Sequence, residues 1–174
     1  MWQHQLLPLA SGALVAVAVL LLVLASLRDF ATRLVPNRIP LALGAIGLIL
    51  ALLHHRLLWS LAGGVAVFAF TFLCWRMRWI GGADVKMLAA AAMLMPPAAT
   101  ANFVLDTAVA GGVLGLVYLL ARRLVPAPRP GLDRLNHRAS LFARVLRAER
   151  WRIHRGGPLP YACAIALGAL FILH

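Results

Sequence analysis

The stretch "WIGGADVKMLAAAAMLMPP", residues 79–97, sets one aspartate and one lysine behind two glycines, then runs apolar until two prolines stop it. The whole chain has 174 residues, 63% of them hydrophobic, and only five are Asp or Glu. With a mean hydropathy of +0.87, too little polar surface remains for a water-soluble domain of this length. Lipid is therefore the expected solvent, and a carboxylate inside it needs a reason. From Asp84 to Met95 a helix rises about 18 Å, against a hydrocarbon core of about 30 Å. Either the bilayer thins there, or the Gly81-Gly82 turn lies below the membrane surface. Irregular backbone at that depth is tolerated only against protein or a water-filled cavity. Asp84 is accordingly expected to line a wet pocket near one membrane face.

Working outward, six apolar segments stand out: 6–27, 39–53, 58–75, 84–95, 102–121 and 159–173. Pro, Gly or charge punctuates the gaps between them, and a long basic loop occupies 122–158. The runs are continuous rather than alternating, and backbone groups in lipid must be satisfied within the segment, so helices are expected rather than a barrel. The predicted fold is all-α: a single integral-membrane domain over residues 1–174 with six transmembrane helices. The first run is long, lacks Lys or Arg before it and has basic residues after it, which reads as a retained helix, not a cleaved signal. Cys74 and Cys163 sit in apolar runs and read as packing residues.

Charge orients this bundle. If the segments alternate, the gaps after the first, third and fifth share a side and, with Lys86 at the start of the fourth segment, hold 16 of the 17 basic residues, leaving Arg56 alone opposite. The positive-inside rule puts those gaps in the cytoplasm and both termini outside. The net charge of +12 is then mostly a topology signal directed at anionic lipid headgroups, and no nucleic-acid partner is expected. Within the loop, "SLFARVLRAERW" (140–151) places Phe142, Val145, Leu146 and Glu149 at helical spacing, with arginines around the rest. That pattern predicts an interfacial helix on the cytoplasmic leaflet, with protein docking as the alternative.

Asp29, in "LRDFATRLVPN", falls on the same predicted side as Asp84. Two aspartates at one depth on different segments are the parts needed to activate water. One carboxylate deprotonates it while a protonated neighbour polarises the scissile carbonyl. The competing reading is that each aspartate caps a helix or pairs with a nearby arginine. If each is judged by its own helix, Asp84 at a helix start takes the water proton and Asp29 at a helix end donates to the carbonyl.

Three motifs then resemble one family in order along nearly the whole chain. "GGADVKMLAAAAM" (81–93) is similar to the G-x-G-D-x-K-L-x-A-A stretch of type IV prepilin peptidases, membrane aspartic proteases that trim pilin-like precursors. "DFATRLVPNRI" (29–39) resembles their second signature, an Asp followed by a basic residue and I/V-P-N. "PLPYACAIALGAL" (158–170) resembles their last helix, which opens I-P-Y-G-x-A-I. Ala83 and Ala162 stand where those motifs carry glycine. The resemblance implies that Asp29 and Asp84 are the catalytic pair, with Gly81, Gly82, Lys86, Pro36 and Asn37 in the neighbouring motifs. It implies a prepilin or pseudopilin precursor as substrate, the bacterial inner membrane as location, and no cofactor. Because no extra cytoplasmic region with paired cysteines precedes the first segment, the resemblance is to the small, peptidase-only kind that serves Flp (Tad-type) pili, without methyl transfer. Presenilin-like proteases share the G-x-G-D aspartate, but their Tyr-Asp partner motif is missing here. A non-enzymatic alternative is a small transport or pilus-assembly component whose aspartates line an ion path.

The remaining polar residues have quieter expected roles. Lys86 lies two positions after Asp84, so their side chains diverge on a helix, and it is expected to snorkel to headgroups. Asn37 is placed to cap the second helix, with Pro40 tolerated in its first turn. Gly81 and Gly82 allow a tight turn or close backbone approach. Gly111 and Gly115 form a G-x-x-x-G packing face. Asp106 falls towards the opposite membrane face, and the six histidines are too scattered to suggest a metal site. A reporter active only outside the cytoplasm is expected to work when fused at His174 or near His55, and to fail within residues 122–158. Activity of a fusion inside that loop would overturn the alternation.

Overall fold

In a computed structural model, the structure describes residues 3–125, 141–155, 157 and 159–173. They form seven α-helices and, among the described residues, no strand: α1 (Gln3–Thr32), α2 (Arg38–Leu53), α3 (Leu57–Arg76), α4 (Gly82–Leu94), α5 (Thr100–Leu124), α6 (Leu141–Arg155) and α7 (Tyr161–Leu173), with a 3-10 turn at Pro97–Ala99. Each of the six apolar runs is a helix, and the amphipathic stretch is α6. Residues 126–140, 156 and 158 of the expected basic loop lie outside the described residues. Three spans, Leu7–Thr32, Leu57–Arg76 and Pro97–Leu124, are long and apolar enough to cross a membrane. α2, α4 and α7, with 16, 13 and 13 residues, are helical as expected but shorter than that criterion.

α1 departs from its expected end at residue 27. Arg28 and Asp29 leave the apolar run but do not break the helix, which continues to Thr32. There Thr32 Oγ1 donates to the Arg28 carbonyl at 2.8 Å. Arg33 turns left-handed at φ 58 while its N–H still reaches the Asp29 carbonyl at 2.9 Å. α2 and α3 end by the same device with more bonds. His55 and Arg78 adopt φ 53 and 63. The following amides, of Arg56 and Trp79, reach back to the carbonyls of Ala51 and Cys74 at 2.9 and 3.0 Å. These are Schellman closures made without glycine, and they leave fewer terminal carbonyls to be satisfied by anything else.

The chain divides into two compact units, Met1–Gly111 with Pro160–His174, and Gly112–Leu159. In the first, α4 packs against α2, α3 and α7, and α1 packs against α7 and α2. Met87, Ala91, Leu94 and Met95 are at most 1% exposed. A helix surrounded by protein need not match the bilayer thickness, which resolves why α4 is short. Its C-terminal carbonyl, on Leu94, accepts a bond from Arg56 Nη2 at 3.1 Å, so the isolated arginine caps a buried helix end. In the second unit Glu149, 4% exposed, accepts bonds from Tyr118 Oη at 2.8 Å and Arg152 Nη1 at 2.6 Å. That pairing lets a carboxylate sit on the apolar side of α6.

The approach of α2 and α3 to α4 depends on Gly47 and Gly64, between which Met93 is wedged. A Cβ on Gly47 would lie 2.9 Å from Met93 Cβ and 3.0 Å from its carbonyl carbon. Backbone cannot yield as a side-chain tip does, so Gly47→Ala is expected to destabilise the protein by about 1–3 kcal/mol. Gly12→Ala, where a Cβ meets nothing within 4 Å, is the control, expected to be neutral or stabilising. Thermal unfolding in detergent checks both; equal melting temperatures would contradict the close packing.

Candidate active site

Asp29 lies in the last turn of α1 and is 7% exposed. Its Oδ2 accepts the backbone N–H of Ala162 at 3.1 Å, in the first turn of α7, where helical amides have no intrahelical carbonyl. Two more bonds latch the same helices together. Ser26 Oγ donates to the carbonyls of Leu22 and Ala162, at 2.9 and 3.2 Å, and Cys163 Sγ donates to the Ser26 carbonyl at 3.7 Å. Pro160 breaks the chain just before α7, and Tyr161 opens the helix. Nothing in the local pattern around Asp29 pointed to Ser26 or Ala162; the proline-led start of the last motif was the available signal.

Asp84 stands at the third position of α4. Its Oδ2 accepts the N–H of Gly81, the N-cap residue, at 3.2 Å. This is the carboxylate half of a capping box, the only half possible because glycine has no side chain to reciprocate. Gly81 has φ −76 and ψ 149, so the turn does not exploit positive φ. A Cβ on Gly81 would lie 2.9 Å from Asp84 Oδ2; glycine here makes room for the carboxylate. Gly82 begins the helix itself.

The two carboxylates come within electrostatic reach of one another, from helices far apart in sequence. Tyr161 is within reach of Asp84, and its ring lies against α5, where a Cβ on Gly111 would be 3.1 Å from the phenolic oxygen. Each aspartate thus faces amides at a helix start, Asp84 those of α4 and Asp29 those of α7. The division of labour drawn from each aspartate's own helix therefore has no basis in the helix ends, since α7 supplies Asp29 with the same kind of environment.

Two expectations for the neighbouring motifs are corrected. Asn37 makes no side-chain cap to α2; its Oδ1 accepts a bond from Lys86 Nζ at 3.0 Å. Lys86 accordingly ties α4 to the α1–α2 loop instead of reaching only for headgroups. Pro36 and Asn37 line, with Arg28, Thr32 and Leu34, an open hollow of about 440 Å³ along that loop. Asp106 is on α5 beside Thr107, whose backbone meets Gly168 on α7, about two helical turns beyond Tyr161. Among the described residues no three His, Cys, Asp or Glu side chains gather in a metal-binding group.

The sequence model of the type IV leader peptidase family matches residues 16–116, a stretch that takes in Asp29, Asn37, Asp84 and Lys86 and stops before α7. No curated protein and no solved structure matches the chain. The Asn37–Lys86 bond is the one direct side-chain link between the two matched motifs among the bonds described above. Asn37→Ala and Lys86→Met are each expected to lower stability by about 1 kcal/mol or less, since the pair is exposed. The double variant is expected to be no worse than either single one. Full additivity in thermal unfolding would show that the bond contributes nothing.

Proposed function

We propose that this chain, which belongs to the type IV leader peptidase family, is an aspartic endopeptidase in which Asp29 and Asp84 activate the attacking water. Membership implies peptidase activity in general. The finer reading is supported by two hydrogen bonds: Asp84 Oδ2 accepts the Gly81 amide at the start of α4, and Asp29 Oδ2 accepts the Ala162 amide at the start of α7, with the two carboxylates within electrostatic range of one another. In the proposed reaction one carboxylate takes a proton from water as its oxygen attacks the scissile carbonyl. The protonated partner hydrogen-bonds the carbonyl oxygen as it becomes tetrahedral. Collapse of that intermediate breaks the C–N bond, and the proton first taken from water passes to the leaving amine. The Gly81 and Ala162 amides orient the carboxylates and perform no proton transfer.

The substrate in this reading is a prepilin or pseudopilin precursor of the Flp type, cut where its basic leader gives way to an apolar segment. The motifs quoted above support it. All six apolar helices cross or enter a bacterial inner membrane as one peptidase domain, with both termini outside and the aspartates near the cytoplasmic face. The 16 basic residues sharing one side support that orientation. Methyl transfer is no part of the proposed activity.

Asp29→Asn and Asp84→Asn are each expected to reduce leader cleavage by at least about 10²–10⁴-fold. Both variants should still insert and accumulate, because an amide oxygen can accept the same backbone N–H. The double variant should be no worse than either single one, as for residues acting as a unit, and Asp106→Asn should cleave near normally. Co-expression with a Flp-type precursor, reading the size shift of leader removal, checks all four. Persistent cleavage by either single variant would sink the catalytic assignment.

A further inference from the structure

α3 carries Phe68, Phe72 and Trp75 along one stripe, at the i, i+4, i+7 spacing of a helix face. Their rings form a row, with centroids 5.9 Å apart for Phe68–Phe72 and 5.3 Å for Phe72–Trp75. With Gly82, Val85 and Lys86 of the first α4 turns they enclose an open hollow of about 260 Å³. An aromatic row on a membrane helix ordinarily faces lipid and does nothing more. Phe70 and Leu73 on the same helix are each 59% exposed, against 45%, 40% and 44% for Phe68, Phe72 and Trp75. The Phe72 row differs in being concave and in where it ends. It closes at Gly82, two residues before Asp84, and a Cβ on Gly82 would lie 3.3 Å from the Trp75 indole nitrogen. A missing side chain keeps the hollow open beside the candidate catalytic turn.

We propose that this hollow is the subsite for the first apolar residues of the precursor on the C-terminal side of the scissile bond. The inference rests on the leader-peptidase reading above. A precursor cut at the water-side edge of its apolar segment presents apolar side chains immediately after the cut, and they extend away from water. From Trp75 to Phe68 the row covers about 10 Å of helix axis, enough to contact the first two turns of a helical segment. The open side of the hollow lets such a segment enter from the lipid without passing through the bundle. Lys86, the single charged residue of the lining, repels a basic residue placed after the cut. Attraction by the rings and repulsion by Lys86 together set the register, with the basic leader kept on the far side of the aspartates.

The test uses the full-length protein in proteoliposomes and precursors whose first residue after the cut is a large apolar residue, alanine or lysine. The wild type is expected to prefer the large apolar residue. Phe72→Ala and Trp75→Ala are expected to raise KM for that precursor by about 10-fold or more, with little change in kcat and less effect on the alanine precursor. Gly82→Val, which fills the hollow, is expected to invert the preference, and Phe70→Ala to leave it unchanged. Normal cleavage with the same preference in Phe72→Ala, Trp75→Ala and Gly82→Val would overturn the subsite and leave the peptidase reading intact. No cleavage of any precursor by the wild type would overturn both. Binding is read separately by a photo-reactive residue just after the cut, in a precursor held by the Asp29→Asn variant. Cross-links at Phe72 to Trp75 are expected, and cross-links confined to other helices would overturn the subsite even if the α3 variants fail to fold.

Discussion

The bond from the Ala162 amide to Asp29 Oδ2 ties α7 to α1 across 133 positions of sequence and fixes one candidate catalytic carboxylate. A carboxylate away from water must find donors in the protein, and the cheapest source of unused donors is the first turn of a helix. α7 supplies them to a residue on α1. Because the same amide group lies one position after Tyr161, fixing Asp29 also fixes where the phenol enters the site against Gly111. The Ser26 and Cys163 contacts keep the two helices from sliding, which would separate donor from carboxylate.

α4 is the second fixed element. It is buried at Met87, Ala91 and Leu94, held at its far end by Arg56 and joined to the α1–α2 loop by Lys86. Its alanines allow the neighbouring helices to approach closely, and its shortness is possible because protein rather than lipid surrounds it. Asp84 is carried at the one end where the surrounding is less complete, beside the aromatic face of α3. A buried rod with one end opened to a groove is the arrangement the proposed reaction calls for, with water reaching the carboxylates from one side and an apolar chain from another.

Much of this was legible in the residues. The apolar runs became helices, the amphipathic stretch became α6, and the short fourth run is the short helix α4 that carries Asp84. What could not be read was partnership across the chain. Asn37 stands where a helix cap stands in sequence, but its partner, Lys86, is on another helix. Asp29 lies at the end of its own helix, while its donor comes from α7. Hydropathy marked where the first segment leaves apolar sequence, but the backbone continued to Thr32, since a helix ends where its hydrogen bonds stop. Arg56 seemed only an exception to the charge pattern, and its role as a carbonyl cap needed the position of Leu94.

The convergence of Asp29 and Asp84 is most directly tested by cross-linking, independent of any substrate. Asp29→Cys and Asp84→Cys are combined on a background with Cys74 and Cys163 replaced by alanine, and treated in native membranes with a short bifunctional thiol reagent. The expected result is efficient intramolecular cross-linking of the 29–84 pair and none for Asp29→Cys combined with Asp106→Cys. Cross-linking of the 29–106 pair, with none at 29–84, would contradict the shared site.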